Sequence, residues 1–242
     1  MCTITFIPSG NTAIITSNRD EKYSRPDAIE PEAYQFPEGI IYYPKDTQAG
    51  GTWFAVHENG NVVVLMNGAF ANHSFTPPYK YSRGLVVLKL IQQKRPFEEF
   101  KLIDLMQIEP FTVIIWEEEK LYECRWDGNK KHLLSLNVLQ PYIWSSATLY
   151  SNEAIEKRQE WFSDWLIQNS NPEQEGILKF HQFTGDDDVR NAILMNRDNE
   201  YCTVSIISIL LHDSFGRINY FDTKNTRTST LNFDLKKECA HR

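Results

Sequence analysis

Hairpin signatures stand at both ends of this chain, and helical periodicity lies between them. Thr3–Ile7 and Ala13–Ser17 are short β-branched runs around the turn-like Pro8-Ser9-Gly10-Asn11. Thr52–His57 and Asn61–Met66 flank Glu58-Asn59-Gly60, where Asn-Gly supplies the strongest short-range hairpin signal. Phe111–Trp116 and Leu121–Trp126 pair around the acidic turn Glu117–Lys120. Thr203–Leu211 and Arg217–Asp222 form a late pair around His212-Asp213-Ser214-Phe215-Gly216. Strands joined by tight turns run antiparallel, whereas parallel neighbours need long crossovers. The order therefore predicts an α+β fold of sheets packed on each other and covered by helices, not an alternating βαβ chain.

Between the hairpins, Glu153–Gln168 carries Ile155, Phe162, Trp165 and Leu166 on one side and charges elsewhere, the pattern of an amphipathic helix. Gly84–Gln93 has helical propensity and a Leu/Val-rich face. A further helix is expected from Asp186, capped by Thr184, because Asp186, Asp187 and Asp188 suit its positive end. Tyr142–Leu149 reads as another strand. The Pro-rich, aromatic stretch from Arg25 to Gly51 reads as an excursion around a pocket. No repeat, low-complexity stretch or linker interrupts the sequence, so residues 1–242 are expected to form a single domain.

Composition narrows the function. With 242 residues, 41% of them hydrophobic, one sizeable core can form. A net charge of −7 with no Lys/Arg block argues against nucleic acid or an anionic membrane surface as partner. No apolar run reaches the roughly 18 residues of a membrane-spanning helix, and no secretory signal is visible. Cys2, Cys124, Cys202 and Cys239 form no CxxC pair, and the six histidines are scattered. Neither a metal site nor a disulfide framework nor a cofactor is expected, and a reducing cytoplasmic setting is the simplest. The expected partner is a small-molecule ligand or substrate.

Cys2 is the residue with the most chemistry to offer. Removal of Met1 would give it a thiol and a free α-amine together. An α-amine has an ordinary pKa of about 7.7–8.0, near operating pH, and can take the proton of its own thiol. The plainer alternative is a packed cysteine opening a strand. Asn18-Arg19-Asp20-Glu21 stands at the end of the strand that pairs with the first one. A carboxylate there can hold the amine and a guanidinium can lower the thiol pKa; equally, charges often end a strand in solvent.

Met1-Cys2, Asn18-Arg19-Asp20-Glu21 with Arg25-Pro26, Gly50-Gly51-Thr52-Trp53, Asn67 and Ser82-Arg83-Gly84 together resemble the NRDE family, also called the transport and Golgi organisation protein 2 family. The resemblance implies an N-terminal nucleophile (Ntn) hydrolase fold, a four-layer αββα sandwich related in architecture to cysteine amidases such as bile-salt hydrolase and penicillin V acylase. It also implies roles: Cys2 as nucleophile, Asp20 orienting its amine, Arg19 as the adjacent cation and Asn67 as an oxyanion donor. Alternation along a strand sets Arg19 and Asp20 on opposite faces. A second pocket asparagine has no counterpart; Ser145 and Ser146 stand nearest to where it is expected. Substrate contacts are expected from Asn18, Gly51, Thr52, Trp53 and Ser146. The glycine pair would allow a ligand close to the backbone, or would simply turn the chain into a strand. Arg83 can meet a ligand carboxylate or phosphate, or a structural carboxylate. Two functions follow from the resemblance: hydrolysis of a C–N amide bond in a small amide or N-acyl compound, or non-catalytic binding and trafficking of haem, lipid or acyl-CoA.

Overall fold

Turn chemistry decides the first pairings. Strand β1 (Cys2–Ser9) lies antiparallel to β2 (Thr12–Lys22), in register from Cys2↔Arg19 to Ser9↔Thr12. The computed structural model describes residues 2–10, 12–74 and 76–236, with Cys2 described by its backbone alone. From Ala13 to Asp20, β2 is buried on both faces, so it reads as a continuous apolar and small-polar run. Ile15 joins the core between the sheets and Ile14 joins the core beneath the helices.

Within the Arg25–Gly51 stretch the chain forms a hairpin, β3 (Ile29–Phe36) pairing with β4 (Gly39–Lys45). Its prolines masked the signal. Pro31 sits in a register shift between Ile29 and Glu32 on an edge strand, where a missing N–H is tolerated. The Asn59-Gly60 turn joins β5 (Phe54–His57) to β6 (Val62–Asn67), with Gly60 at φ +93°. β7 (Phe111–Glu117) and β8 (Lys120–Trp126) turn through Glu118 and Glu119, both at positive φ. β9 (Lys131–Leu136) completes a sheet that runs β3 to β9 in chain order.

The other sheet joins the two ends of the chain. Its order is β10 (Tyr142–Ser145), β1, β2, β12 (Tyr201–Leu211), β13 (Phe215–Asp222) and β14 (Arg227–Asp234), with β11 (Asn196–Arg197) beside β12. The strand expected over Tyr142–Leu149 stops at Ser145, because Leu149 and Tyr150 both donate back to the Ser146 carbonyl in a turn.

Helices α1 (Arg83–Ile91) and α2 (Pro96–Leu102) lie on the β5–β7 face of the first sheet. Pro96 opens α2 at a position where its missing N–H costs nothing. Helices α3 (Asn152–Gln168) and α4 (Gln174–Phe183) cover the second sheet. The helix expected from Asp186 does not form. Thr184 closes α4 by donating its N–H to Phe180, and the aspartates bond their own chain, Asp186 to the Asp188 N–H and Asp188 to the Arg190 N–H. Such local side-chain bonds compete with a helix. The result is an α+β, four-layer αββα sandwich, its main core formed between the sheets by residues such as Ile4, Phe6, Val63 and Phe111. Among the described residues no helix is long and apolar enough to cross a membrane.

Candidate active site

Strand alternation divides the Asn18–Glu21 cluster between two environments. Arg19 follows Ala13, Ile15 and Ser17 on the face toward the other sheet, whereas Asn18 and Asp20 follow Ile14 and Thr16 toward the helices. The two sides do different things.

On the sheet side, Arg19 is nearly buried and walls a cleft of about 130 Å³. Its guanidinium lies 4.2 Å above the Trp53 ring and donates to Asp46 Oδ2 at 2.5 Å. Arg25 Nε reaches the same oxygen at 2.9 Å, while Asp46 Oδ1 accepts the N–H groups of Gln48 and Ala49. Burial pushes the Asp46 carboxyl up, but the Ala49 N–H and the two guanidiniums together hold it below the usual range. Asp46 is thus an ionised clamp that fixes Arg19, and it stands in the stretch expected to run around a pocket.

Gly51, Thr52, Trp53 and Asn67 also line the cleft, as does the start of α1 at Ser82 and Arg83. Gly51 has a structural reason for its lack of a side chain. A methyl there would stand 2.4 Å from the Gly84 carbonyl carbon. Thr52 turns its hydroxyl to the Phe54 carbonyl at 2.9 Å, and its N–H to the Gly84 carbonyl at 3.2 Å. Arg83 meets a structural carboxylate, Glu109 at 3.0 Å. Asn67 is half-buried at the end of β6. Ser146 is fully buried and outside the cleft lining; its hydroxyl donates to the Asn67 carbonyl at 2.8 Å. It braces the Asn67 backbone from behind the cleft wall.

On the helix side, Asn18 is likewise away from the cleft. Its Nδ2 donates to the Ile193 carbonyl at 2.8 Å, so its Oδ1 must accept from His181 Nδ1 at 2.7 Å. His181 therefore carries its proton on Nδ1, and Nε2 accepts from the Thr5 hydroxyl at 2.8 Å. Burial, helped by the charge of Arg158, lowers the His181 pKa to about 3. Asp20 is fully buried, accepting from Tyr150 Oη at 2.7 Å and Thr203 Oγ1 at 2.6 Å. Burial pushes its pKa up, against the opposing charge of Arg158 and the two hydroxyl bonds. Tyr150, Thr203 and Arg158 escaped the sequence reading. One signal was present for Arg158: with Ala154 and Phe162 it makes the buried i, i+4, i+8 stripe of α3.

The register pairs Cys2 with Arg19, so Asp20 lies one residue past Cys2 along β2. The Cys2 thiol and Cys239 lie outside the described residues. Cys124 and Cys202 are buried thiols whose pKa values burial raises, an environment that suppresses thiolate chemistry. Among the described residues no group of His, Cys, Asp and Glu gathers as metal ligands would.

Comparison with solved structures agrees with this architecture. A cysteine-to-alanine mutant of the conjugated bile acid hydrolase from Clostridium perfringens superposes with a TM-score of 0.58 at 11% identity, covering 100% of this chain and 99% of that one. An arginine-to-leucine variant of the same hydrolase gives 0.56 at 10% identity, covering 99% of both. An N-acylethanolamine-hydrolyzing acid amidase ortholog from Caenorhabditis elegans gives 0.49 at 13% identity, covering 96% of this chain and 100% of that one. At such identities the hydrolase likeness is one of fold, that of the N-terminal nucleophile hydrolases. No curated protein matches the sequence. The pattern of the Transport and Golgi organisation 2 family matches residues 1–231, and the chain belongs to that family.

Proposed function

We propose that this protein is a cysteine N-terminal nucleophile hydrolase, residues 1–242 acting as one domain, that cleaves the C–N amide bond of a small amide or N-acyl compound. One observation carries the reading. The ladder sets Cys2 opposite Arg19, whose side chain walls the cleft, and one residue from Asp20, whose carboxylate is buried and held by two hydroxyls.

With Met1 removed, the α-amine of Cys2 takes the thiol proton and the thiolate attacks the amide carbonyl carbon. The carbonyl oxygen gains the electron pair, and the Asn67 amide donates to it. Collapse of the tetrahedral adduct breaks the C–N bond, and the proton held by the amine goes to the departing nitrogen. Water then attacks the thioester, the amine again taking a proton, and frees the acid and the thiol. Asp20 holds the amine throughout. Arg19, immobilised between Asp46 and Trp53, supplies a fixed positive charge at the cleft wall. A reducing, cytoplasmic setting belongs to this reading, since the thiol must stay reduced.

A non-catalytic carrier of haem, lipid or acyl-CoA is the second reading, favoured by Ser146. Standing, with Ser145, nearest to the expected second pocket asparagine, it directs its hydroxyl to the Asn67 carbonyl. One experiment separates the two. Intact-mass analysis reads Met1 removal and Cys2 alkylation by dilute iodoacetamide, and an acyl-amide panel is then incubated with wild type and Cys2→Ala. Hydrolysis lost in Cys2→Ala supports the enzyme. A retained Met1 with an inert Cys2, or equal rates in both proteins, defeats it.

A further inference from the structure

Arg158 has no solvent exposure, although it occupies a stripe of α3 that a methionine or leucine could fill. Burying a guanidinium is costly unless its surroundings are arranged for it. Here Nε donates to the Asn191 carbonyl at 3.0 Å, and the terminal nitrogens reach the Ala192 carbonyl and the Thr3 hydroxyl. The planar group also lies 3.5 Å from the centre of the Tyr150 ring. Arg197 packs near the same ring and bonds the Leu149 carbonyl at 2.9 Å. Tyr150 is therefore held on its face and through its own backbone neighbour. Its hydroxyl donates to Asp20 at 2.7 Å.

We propose that Tyr150, clamped by Arg158, is a positioning residue for Cys2. It fixes the Asp20 carboxylate so that one oxygen keeps a lone pair free for the α-amine. The proposal rests on the reading of Cys2 as an N-terminal nucleophile. Each carboxylate oxygen accepts one hydroxyl, from Tyr150 or Thr203, and each has capacity for one more donor. Arg158 acts at both ends of this arrangement. It bonds Thr3, the residue after Cys2, and it orients the ring that orients Asp20. Among the described residues, the titratable and charged groups that bear on Asp20 and on the ring that holds it are Arg158 on α3, Tyr150 in the turn before it, Arg197 on β11 and Cys202 beside Thr203 on β12. Arg19 and Glu21, its neighbours on β2, lie on the opposite face. Loss of the Tyr150 hydroxyl would leave a buried carboxylate with one donor fewer, less stable as an ion and free to turn. Both effects weaken its hold on an ammonium.

The test measures that hold. In a full-length Cys2→Ala chain, which removes the competing thiol, acetic anhydride labels the α-amine of residue 2 only as the free base. The pH midpoint of labelling, followed by mass spectrometry, reports the amine pKa. The expected midpoint lies above the ordinary α-amine range of about 7.7–8.0. Adding Tyr150→Phe is expected to lower it by about one unit, or tenfold in labelling rate at a fixed pH below it. Arg158→Lys keeps the charge but loses the planar stack, and is expected to move the midpoint the same way by less. In an Asp20→Asn chain, Tyr150→Phe is expected to do nothing further. A midpoint unmoved by Tyr150→Phe in a chain that still melts cooperatively overturns the proposal and leaves the nucleophile reading intact. So does a shift that persists with Asp20→Asn. If Tyr150→Phe does not fold, Arg158→Lys is judged by the same two outcomes. An ordinary midpoint indifferent to Asp20→Asn overturns the nucleophile reading, and the proposal with it.

Discussion

Asn67 stands in the cleft lining with its backbone fixed from two sides. Ser146 Oγ fixes its carbonyl from one side, while β6 pairs Asn67 with Phe111 on the other. In the proposed mechanism its amide donates to the oxyanion, and such a donor is typically worth about 2.7–4 kcal/mol. Asn67→Ala is expected to lower kcat by about 10²–10³ on any amide the wild type cleaves, with KM little changed. Steady-state kinetics check this; a rise in KM at constant kcat would assign Asn67 to binding alone. Cys124→Ala is the matched control, since that thiol is buried between strands with its pKa raised by burial.

At the scale of elements, the sequence was most legible where turns and alternation spoke alone. The β1–β2, β5–β6, β7–β8 and β12–β13 hairpins follow from β-branched runs bounded by residues that accept tight turns. The β3–β4 hairpin did not, because Pro31 and Pro37 imitate a loop while a bulge absorbs one of them. The aspartates after Thr184 suggested a helix start, but acidic side chains serve an Asx turn equally well. The site was half legible for a related reason. Strand alternation separates Arg19 from Asp20, yet nothing local in sequence ties either to Asp46, Tyr150 or Arg158, whose contacts are made only on folding. The glycines are the exception, since their requirement is steric. Gly51 and Gly84 let the loop before β5 touch the first turn of α1. Gly51→Ala is expected to push that turn away, destabilising the fold by about 1–3 kcal/mol and disturbing Ser82 and Arg83 at the cleft. Urea denaturation checks the first effect, and an unchanged midpoint would mean that the contact is easily relieved.

At the scale of the whole molecule, the β2–β12 ladder unites the two ends of the chain in one sheet, and α4 lies across both strands. His181 on α4 pins this arrangement, bonding Thr5 on β1 and Asn18 on β2. Its folded pKa of about 3 lies below the ordinary 6.5. As pH falls, the unfolded chain therefore binds the proton first, and stability present above the ordinary pKa is lost down to about pH 3. Asp20 acts in the opposite sense. Its raised pKa makes the folded state the tighter proton binder above the ordinary carboxylate value, so its contribution grows as pH falls. The comparison must therefore isolate His181. His181→Gln keeps a donor and an acceptor in the helix layer but cannot titrate, while Asp20 is common to both proteins. Between pH 7 and pH 5 the stability advantage of wild type over His181→Gln is expected to shrink by about 2 kcal/mol. Urea midpoints from far-ultraviolet circular dichroism and tryptophan fluorescence should move together, because the histidine links strands from one end of the chain to the helix layer over both. A constant difference across that pH range would mean that His181 exchanges protons freely in the folded protein, and that the helix layer opens independently of the sheet beneath it.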